Sequence, residues 1–108
     1  MSREKGFAAE TSAADWLATQ GFEIVDRNFV EKIGELDIVA RKDGVIHFVE
    51  VKSGASFDPI YQITPAKLRK VIATAHIWLQ KHRVHSPFTI DALIARQDSF
   101  ELIENITM

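Results

Sequence analysis

Asp37, Glu50 and Lys52 have the side-chain types and the spacing to hold a divalent cation and act on a phosphate. Between them stands Asp43-Gly44, a strong two-residue hairpin dipeptide, flanked by β-prone runs at 35–41 and 45–53. A two-residue turn pairs Lys42 with Val45 and fixes the register from there. Asp37 then falls opposite Glu50, and Glu35 opposite Lys52. Side-chain alternation predicts all four on one face of the sheet, with Val39, Phe48, Arg41 and Ile46 farther along it.

Two carboxylates facing each other across a strand pair repel and weaken the sheet. A divalent cation between them removes the repulsion. Hard ions such as Mg²⁺ favour one or two carboxylates, completed by waters and phosphate oxygens. Lys52, two residues past Glu50, brings a positive charge to the same cluster. Such a set can orient water and stabilise negative charge on a transferring phosphate. The pattern alone is equally compatible with solvated edge charges, Lys52 pairing with Glu35 on an exposed face.

The surrounding elements must position these groups. Residues 4–19 read as a helix, with Phe7, Ala14 and Leu17, and Ala13 and Trp16 beside them, near helical spacing and Gly21 placed for a left-handed C-cap. Phe22-Glu23-Ile24-Val25 reads as a strand, and Asn28 as the start of a loop. Residues 54–63 read as a loop that could touch substrate or a second subunit. Thr64-Pro65 is a helix start, and the helix runs to about Lys81 with Leu68, Val71, Ile72, Ala75 and Leu79 on one stripe. Ser86-Pro87 ends that pattern. Strands are predicted at 88–95 and 100–106, joined by Arg96-Gln97-Asp98-Ser99. The order is α-β-β-β-α-β-β in a single domain, residues 1–108, of mixed α/β class.

Gly34-Glu35-Leu36-Asp37-Ile38-Val39-Ala40 followed by Phe48-Val49-Glu50-Val51-Lys52 resembles the bacterial YraN family, small proteins of the PD-(D/E)XK nuclease-like superfamily. The resemblance extends through Gly6, Glu10, Ala14, Leu17, Gly21, Asn28 and Phe29 upstream, and Lys67, Ala75, Leu79 and Asp91 downstream. It implies a restriction-endonuclease-like mixed β-sheet flanked by helices. It also implies Asp37 and Glu50 as metal-binding carboxylates and Lys52 as catalytic lysine. Glu10 resembles the helical acidic residue that archaeal junction resolvases use as a further metal ligand. Glu35 belongs to the family's Gly-Glu-x-Asp signature, and a backbone carbonyl near Val51 is expected to complete the site. The implied activity is Mg²⁺- or Mn²⁺-dependent endonuclease cleavage of nucleic acid, Holliday-junction-resolvase-like, with DNA expected ahead of RNA. The alternative is a non-catalytic nucleic-acid-binding or protein-interaction module that retains the nuclease fold. Two departures bear on this choice. Gly54 replaces an arginine usual two residues after the motif lysine, and Pro87-Phe88-Thr89-Ile90-Asp91 lacks one usual shortly before the strand aspartate; both would be candidate phosphate contacts.

Composition sets the partners. The 108 residues hold no cysteine, which excludes disulfide frameworks, thiolate zinc sites and cysteine nucleophiles. No apolar run is long enough for a membrane span, and a cytoplasmic location is expected. The formal net charge of −2 excludes general polyanion binding, so affinity for nucleic acid must be local. Residues 65–87 carry Lys67, Arg69, Lys70, Lys81 and Arg83 with no acidic residue, the pattern of a phosphate-tracking surface or of a solvated helix face. Lys67, Arg69 and Lys70, together with Glu35, are the candidate substrate contacts. His82-x-x-His85 lacks a third zinc ligand. Trp16 and Trp78 read as helix–sheet packing, and His47 as a strand-face residue. One site per chain cuts one strand, so symmetrical double-strand cleavage would require a homodimer.

Overall fold

The computed structural model describes residues 2–53 and 63–107, with side chains from residue 8 onward. The elements are α1 (Ser2–Thr19), β1 (Glu23–Glu31), β2 (Gly34–Lys42), β3 (Val45–Ser53), α2 (Pro65–Lys81), β4 (Phe88–Ala95) and β5 (Phe100–Ile103). The strands form one sheet in the order β1-β2-β3-β4-β5. Every neighbouring pair is antiparallel except β3 and β4, which run parallel because α2 carries the chain back between them. This is the restriction-endonuclease-like mixed sheet with helices on its two faces, in the order expected from the sequence.

Each face has its own core. Ala13, Ala14 and Leu17 of α1 pack with Phe22, Ile38, Ala40, Val49 and Leu93. Val71, Ala75 and Trp78 of α2 pack with Leu36, Val39, Ile46, Phe48 and Ile90. Alternating residues of the central strands thus feed opposite layers, which is why β2 is apolar from Ile38 to Ala40 and β3 carries Ile46, Phe48 and Val49 in its buried middle.

Local signals fix the boundaries. Gly21 ends α1 at φ +93°, the Phe22 N–H reaching Leu17 O at 3.1 Å and the Gly21 N–H reaching Ala18 O at 3.2 Å, a Schellman closure. Asp43 and Gly44 both take positive φ, as a type I′ hairpin turn requires. The Thr64 hydroxyl caps α2 by accepting the Lys67 N–H at 3.2 Å, with Pro65 in the first turn.

Two boundaries differ from expectation. Asn28 does not start a loop; it sits inside β1 at φ 53°, and β1 also carries an irregularity between Ile24 and Asp26. These kinks re-aim the strand without ending its pairing with β2. The last strand stops at Ile103 because Asn105 turns at φ 55° and donates its N–H to the Asp91 side chain at 3.0 Å. The anticipated loop at 54–63, including Gly54, lies outside the described residues except for Ile63.

Candidate metal centre

The hairpin register is the anticipated one, from Lys42↔Val45 to Ile38↔Val49. There the β2–β3 ladder ends. β2 continues along β1 as far as Gly34, and β3 continues along β4 as far as Ser53, so the two central strands part at Asp37 and Glu50. The expected direct opposition of Asp37 to Glu50, and of Glu35 to Lys52, is replaced by a fork. Two buried carboxylates are not held as ladder partners; separating the strands relieves their repulsion.

The Asp37 side chain takes over where the ladder stops. Its Oδ2 accepts the Val51 N–H at 2.8 Å, a bond that a β2 carbonyl would otherwise make. One residue's N–H and C=O point the same way in a strand, so the Val51 carbonyl also faces this gap. Face alternation breaks at the same place. Leu36 packs with the α2 layer and Ile38 with the α1 layer, although they are two residues apart. Asp37 therefore interacts with Glu10 of α1 as well as with Glu50 and Lys52 of β3. The expectation of a single shared face gives way to a site between the layers.

Electrostatics mark the cluster. Asp37 and Glu50 are only 9% and 7% exposed. Burial, and then the charge of Asp37, push the Glu50 carboxyl up to about 8, against a smaller opposing effect from Lys52. Burial raises Asp37 as well, opposed by the Val51 N–H and Lys52. Glu10 is pushed up to about 7 by burial and by Asp37, with Arg27 pulling the other way. Glu50 Oε2 and Glu10 Oε1 are buried without a hydrogen-bond partner. Buried acceptors left in this state cost free energy unless a cation or proton satisfies them. Hard oxygen donors with raised proton affinity and open lone pairs fit a Mg²⁺- or Mn²⁺-sized ion.

Beside the fork lies a cleft of about 170 Å³ lined by Gly34, Glu35, Glu50, Lys52, Ile63, Lys67, Lys70 and Val71. The structure thus brings Glu35, Lys67 and Lys70 to the same cleft as Glu50 and Lys52. Arg69 is exposed on α2 but does not line the cleft. Helix geometry explains the split, since positions 67 and 70 share a face and 69 does not.

A second polar cluster is buried toward α1. His47 Nδ1 lies 2.6 Å from Asp91 Oδ2, the Thr89 hydroxyl donates to Asp91 Oδ1 at 2.7 Å, and the Asn105 N–H donates to the same oxygen. Glu104 Oε1 is 3.9 Å from His47 Nδ1. The ligand atoms of His47, Asp91 and Glu104 lie within 4.8 Å of one another. The 2.6 Å approach is nevertheless hydrogen-bond length; a shared cation at about 2.1 Å from each ligand would hold nitrogen and oxygen farther apart. His47 is more than a strand-face residue, and Thr89 is committed to an internal bond. The Thr89–Asp91 bond is local to β4, whereas the His47–Asp91 contact depends on the parallel β3–β4 pairing, which local sequence does not signal.

Arg27 has a role that no sequence motif signals. Its Nη2 donates to Thr11 Oγ1 at 3.0 Å, bringing its charge to Glu10. His82 stacks on Trp78 with ring centroids 4.2 Å apart, and Nδ1 lies 2.9 Å from the Trp78 carbonyl, so it serves packing rather than a zinc site.

Residues 9–103 match the model of a family described as "Uncharacterised protein family UPF0102". A UPF0102 protein of Helicobacter pylori strain HPAG1 is 56% identical over 105 residues, 97% of this chain and 92% of its own length. A Wolinella succinogenes UPF0102 protein is 53% identical over the whole of both chains, and one from Helicobacter hepaticus is 50% identical over 99% of this chain and 97% of its own.

Proposed function

We propose, from the premise that this chain belongs to family UPF0102 (the YraN family of the PD-(D/E)XK nuclease-like superfamily), that it is a metal-dependent nuclease hydrolysing phosphodiester bonds of nucleic acid. The observation that carries this reading is the fork. Glu50 is buried there with an oxygen that has no partner, beside Asp37 and Lys52, and it opens on a cleft flanked by lysines. A polar cluster serving stability alone would be internally satisfied.

Asp37, Glu50, Glu10 and the Val51 carbonyl would hold one Mg²⁺ or Mn²⁺. When bound, the ion supplies positive charge that favours hydroxide over water and neutralises the reacting phosphate. Hydrolysis adds water across one P–O bond; a proton leaves the water and another reaches the departing oxygen. Lys52, with three N–H donors, orients the attacking water and stabilises charge on the phosphate oxygens. Lys67 and Lys70 meet the phosphates on either side, while Glu35 at the rim orders water near the fork. The Asp37–Val51 hydrogen bond keeps the carboxylate aimed into the gap.

The test is cleavage of single-stranded, duplex, flap and four-way-junction DNA, with matching RNAs, in Mg²⁺ and Mn²⁺. Wild type should cut at least one substrate, and Asp37→Ala should lower the rate by about a thousandfold. Equal activity in both proteins would trace cleavage to another site. Silence of a folded wild type across the panel would assign the fold to a binding or interaction module.

A further inference from the structure

Among the described residues, two large hydrophobic side chains stand exposed, Val30 at 66% and Ile33 at 46%. Both are on the β1–β2 hairpin tip, separated by Glu31 and the exposed Lys32. Val30 is the register partner of Glu35, so these two side chains stand side by side on one face, and Glu35 lines the cleft. Ile33 precedes Gly34, which lines it too. The apolar tip is therefore continuous with the wall of the proposed catalytic cleft.

The tip is also braced. Glu31 pairs with Lys81 of α2 at 2.7 Å. Gly34 approaches α2 so closely that an added Cβ would lie 2.9 Å from Thr74 Oγ1. β-Branched Val and Ile are stiff at χ1, so little freedom is lost when they meet a ligand. A rigid apolar tip next to lysines suits a ligand with alternating anionic and flat apolar surfaces, and nucleic acid with unstacked bases has both.

We propose that Val30 and Ile33 form a wedge against unstacked bases, directing the cleft to nucleic acid at branches and single-strand–duplex junctions. The proposal rests on the nuclease reading for the orientation of the strand, but binding can be read without cleavage. In Ca²⁺, fluorescence anisotropy would compare wild type with Val30→Ser/Ile33→Ser on flap, four-way-junction and fully paired duplex DNA. A 2-aminopurine at the branch point reports unstacking, and a thermal melt checks that the double variant is folded.

Burying a valine or isoleucine side chain against an unstacked base is worth about tenfold in affinity each. The double variant should lose about tenfold or more on branched DNA and less than about twofold on duplex. 2-Aminopurine should brighten with wild type and stay dark with the variant. Equal branched-DNA binding by both proteins would overturn the wedge while leaving metal-dependent cleavage standing. So would a concentration-dependent dimer in sedimentation that the two substitutions abolish without changing DNA binding. Branch-specific binding with no cleavage in Mg²⁺ or Mn²⁺ would keep the wedge and defeat the nuclease reading. Absence of any nucleic-acid binding would defeat both.

Discussion

Glu50 and Asp91 sit on adjacent parallel strands, both almost wholly buried, and the protein treats them in opposite ways. Asp91 is surrounded by donors: the His47 ring, the Thr89 hydroxyl and the Asn105 N–H. Those bonds tie β3, β4 and the turn after β5 into one unit. Glu50 faces Asp37 and keeps one oxygen without a partner, and the strands part around it. Buried charge at Asp91 is compensated internally; Glu50 meets the Asp37 backbone and Lys52 but keeps one oxygen open to a proton or a cation. The difference separates a structural polar cluster from a ligand-ready one, although the residue types are similar.

The sharpest way to break this comparison is to remove Asp91. Asp91→Ala strands the donors of His47, Thr89 and Asn105 and leaves a void. It should destabilise the protein by about 4 kcal/mol, read in urea melts. A loss below about 1 kcal/mol would mean the network does not tie β3, β4 and the turn after β5 together, and the contrast would fail. Glu50→Gln should instead leave the metal-free fold intact, with its stability unchanged or increased at neutral pH.

The next effect is a pH slope. Glu50 and Glu10 hold protons in the fold up to about 8 and about 7, above the ordinary carboxylate value of 4.5. The folded state therefore binds more protons than the unfolded chain between these limits, and stability falls as pH rises through them. One retained proton across two pH units corresponds to about 2.7 kcal/mol. Metal-free protein should lose on that order between about pH 5.5 and 7.5, and Glu50→Gln should flatten most of the slope. Mg²⁺ or Mn²⁺ should restore wild-type stability at the upper pH and leave the variant nearly unchanged. A flat wild-type profile in EDTA would show that these carboxylates are solvated, ordinary acids.

What the sequence disclosed follows from how local each cause is. Asp43-Gly44 declares a type I′ turn, and the turn dictates the register down to Ile38↔Val49 without help from elsewhere. Gly21 and Thr64-Pro65 mark helix ends for equally local reasons. The fork was not legible, because it depends on the Asp37 side chain replacing a backbone acceptor for Val51. Asn28 misled for a related reason: a left-handed residue signals a turn locally, but the β2 partner keeps β1 going past it. The His47–Asp91 contact needs the parallel pairing of β3 with β4, strands joined through α2, and no short-range pattern announces it. Among the site residues, Lys67 and Lys70 separated from Arg69 only once the helix face was fixed.

The smallest effect tests which side of the contrast Thr89 belongs to. The resemblance to the YraN family leads to the expectation of an arginine near this position, placed to meet a phosphate. The Thr89 hydroxyl is instead turned inward, donating to Asp91 at 2.7 Å and lying 3.2 Å from His47 Nδ1. Thr89→Val keeps the shape and removes the hydroxyl's bond to Asp91 together with its longer contact to His47, while Asp91 retains His47 and the Asn105 N–H. A loss of about 1 kcal/mol in stability is expected, with the cleavage rate and its dependence on Mg²⁺ unchanged. A fall in cleavage at unaltered stability would place Thr89 in contact with substrate. The satisfied network would then be part of the working surface, and the division between the two carboxylates would no longer hold.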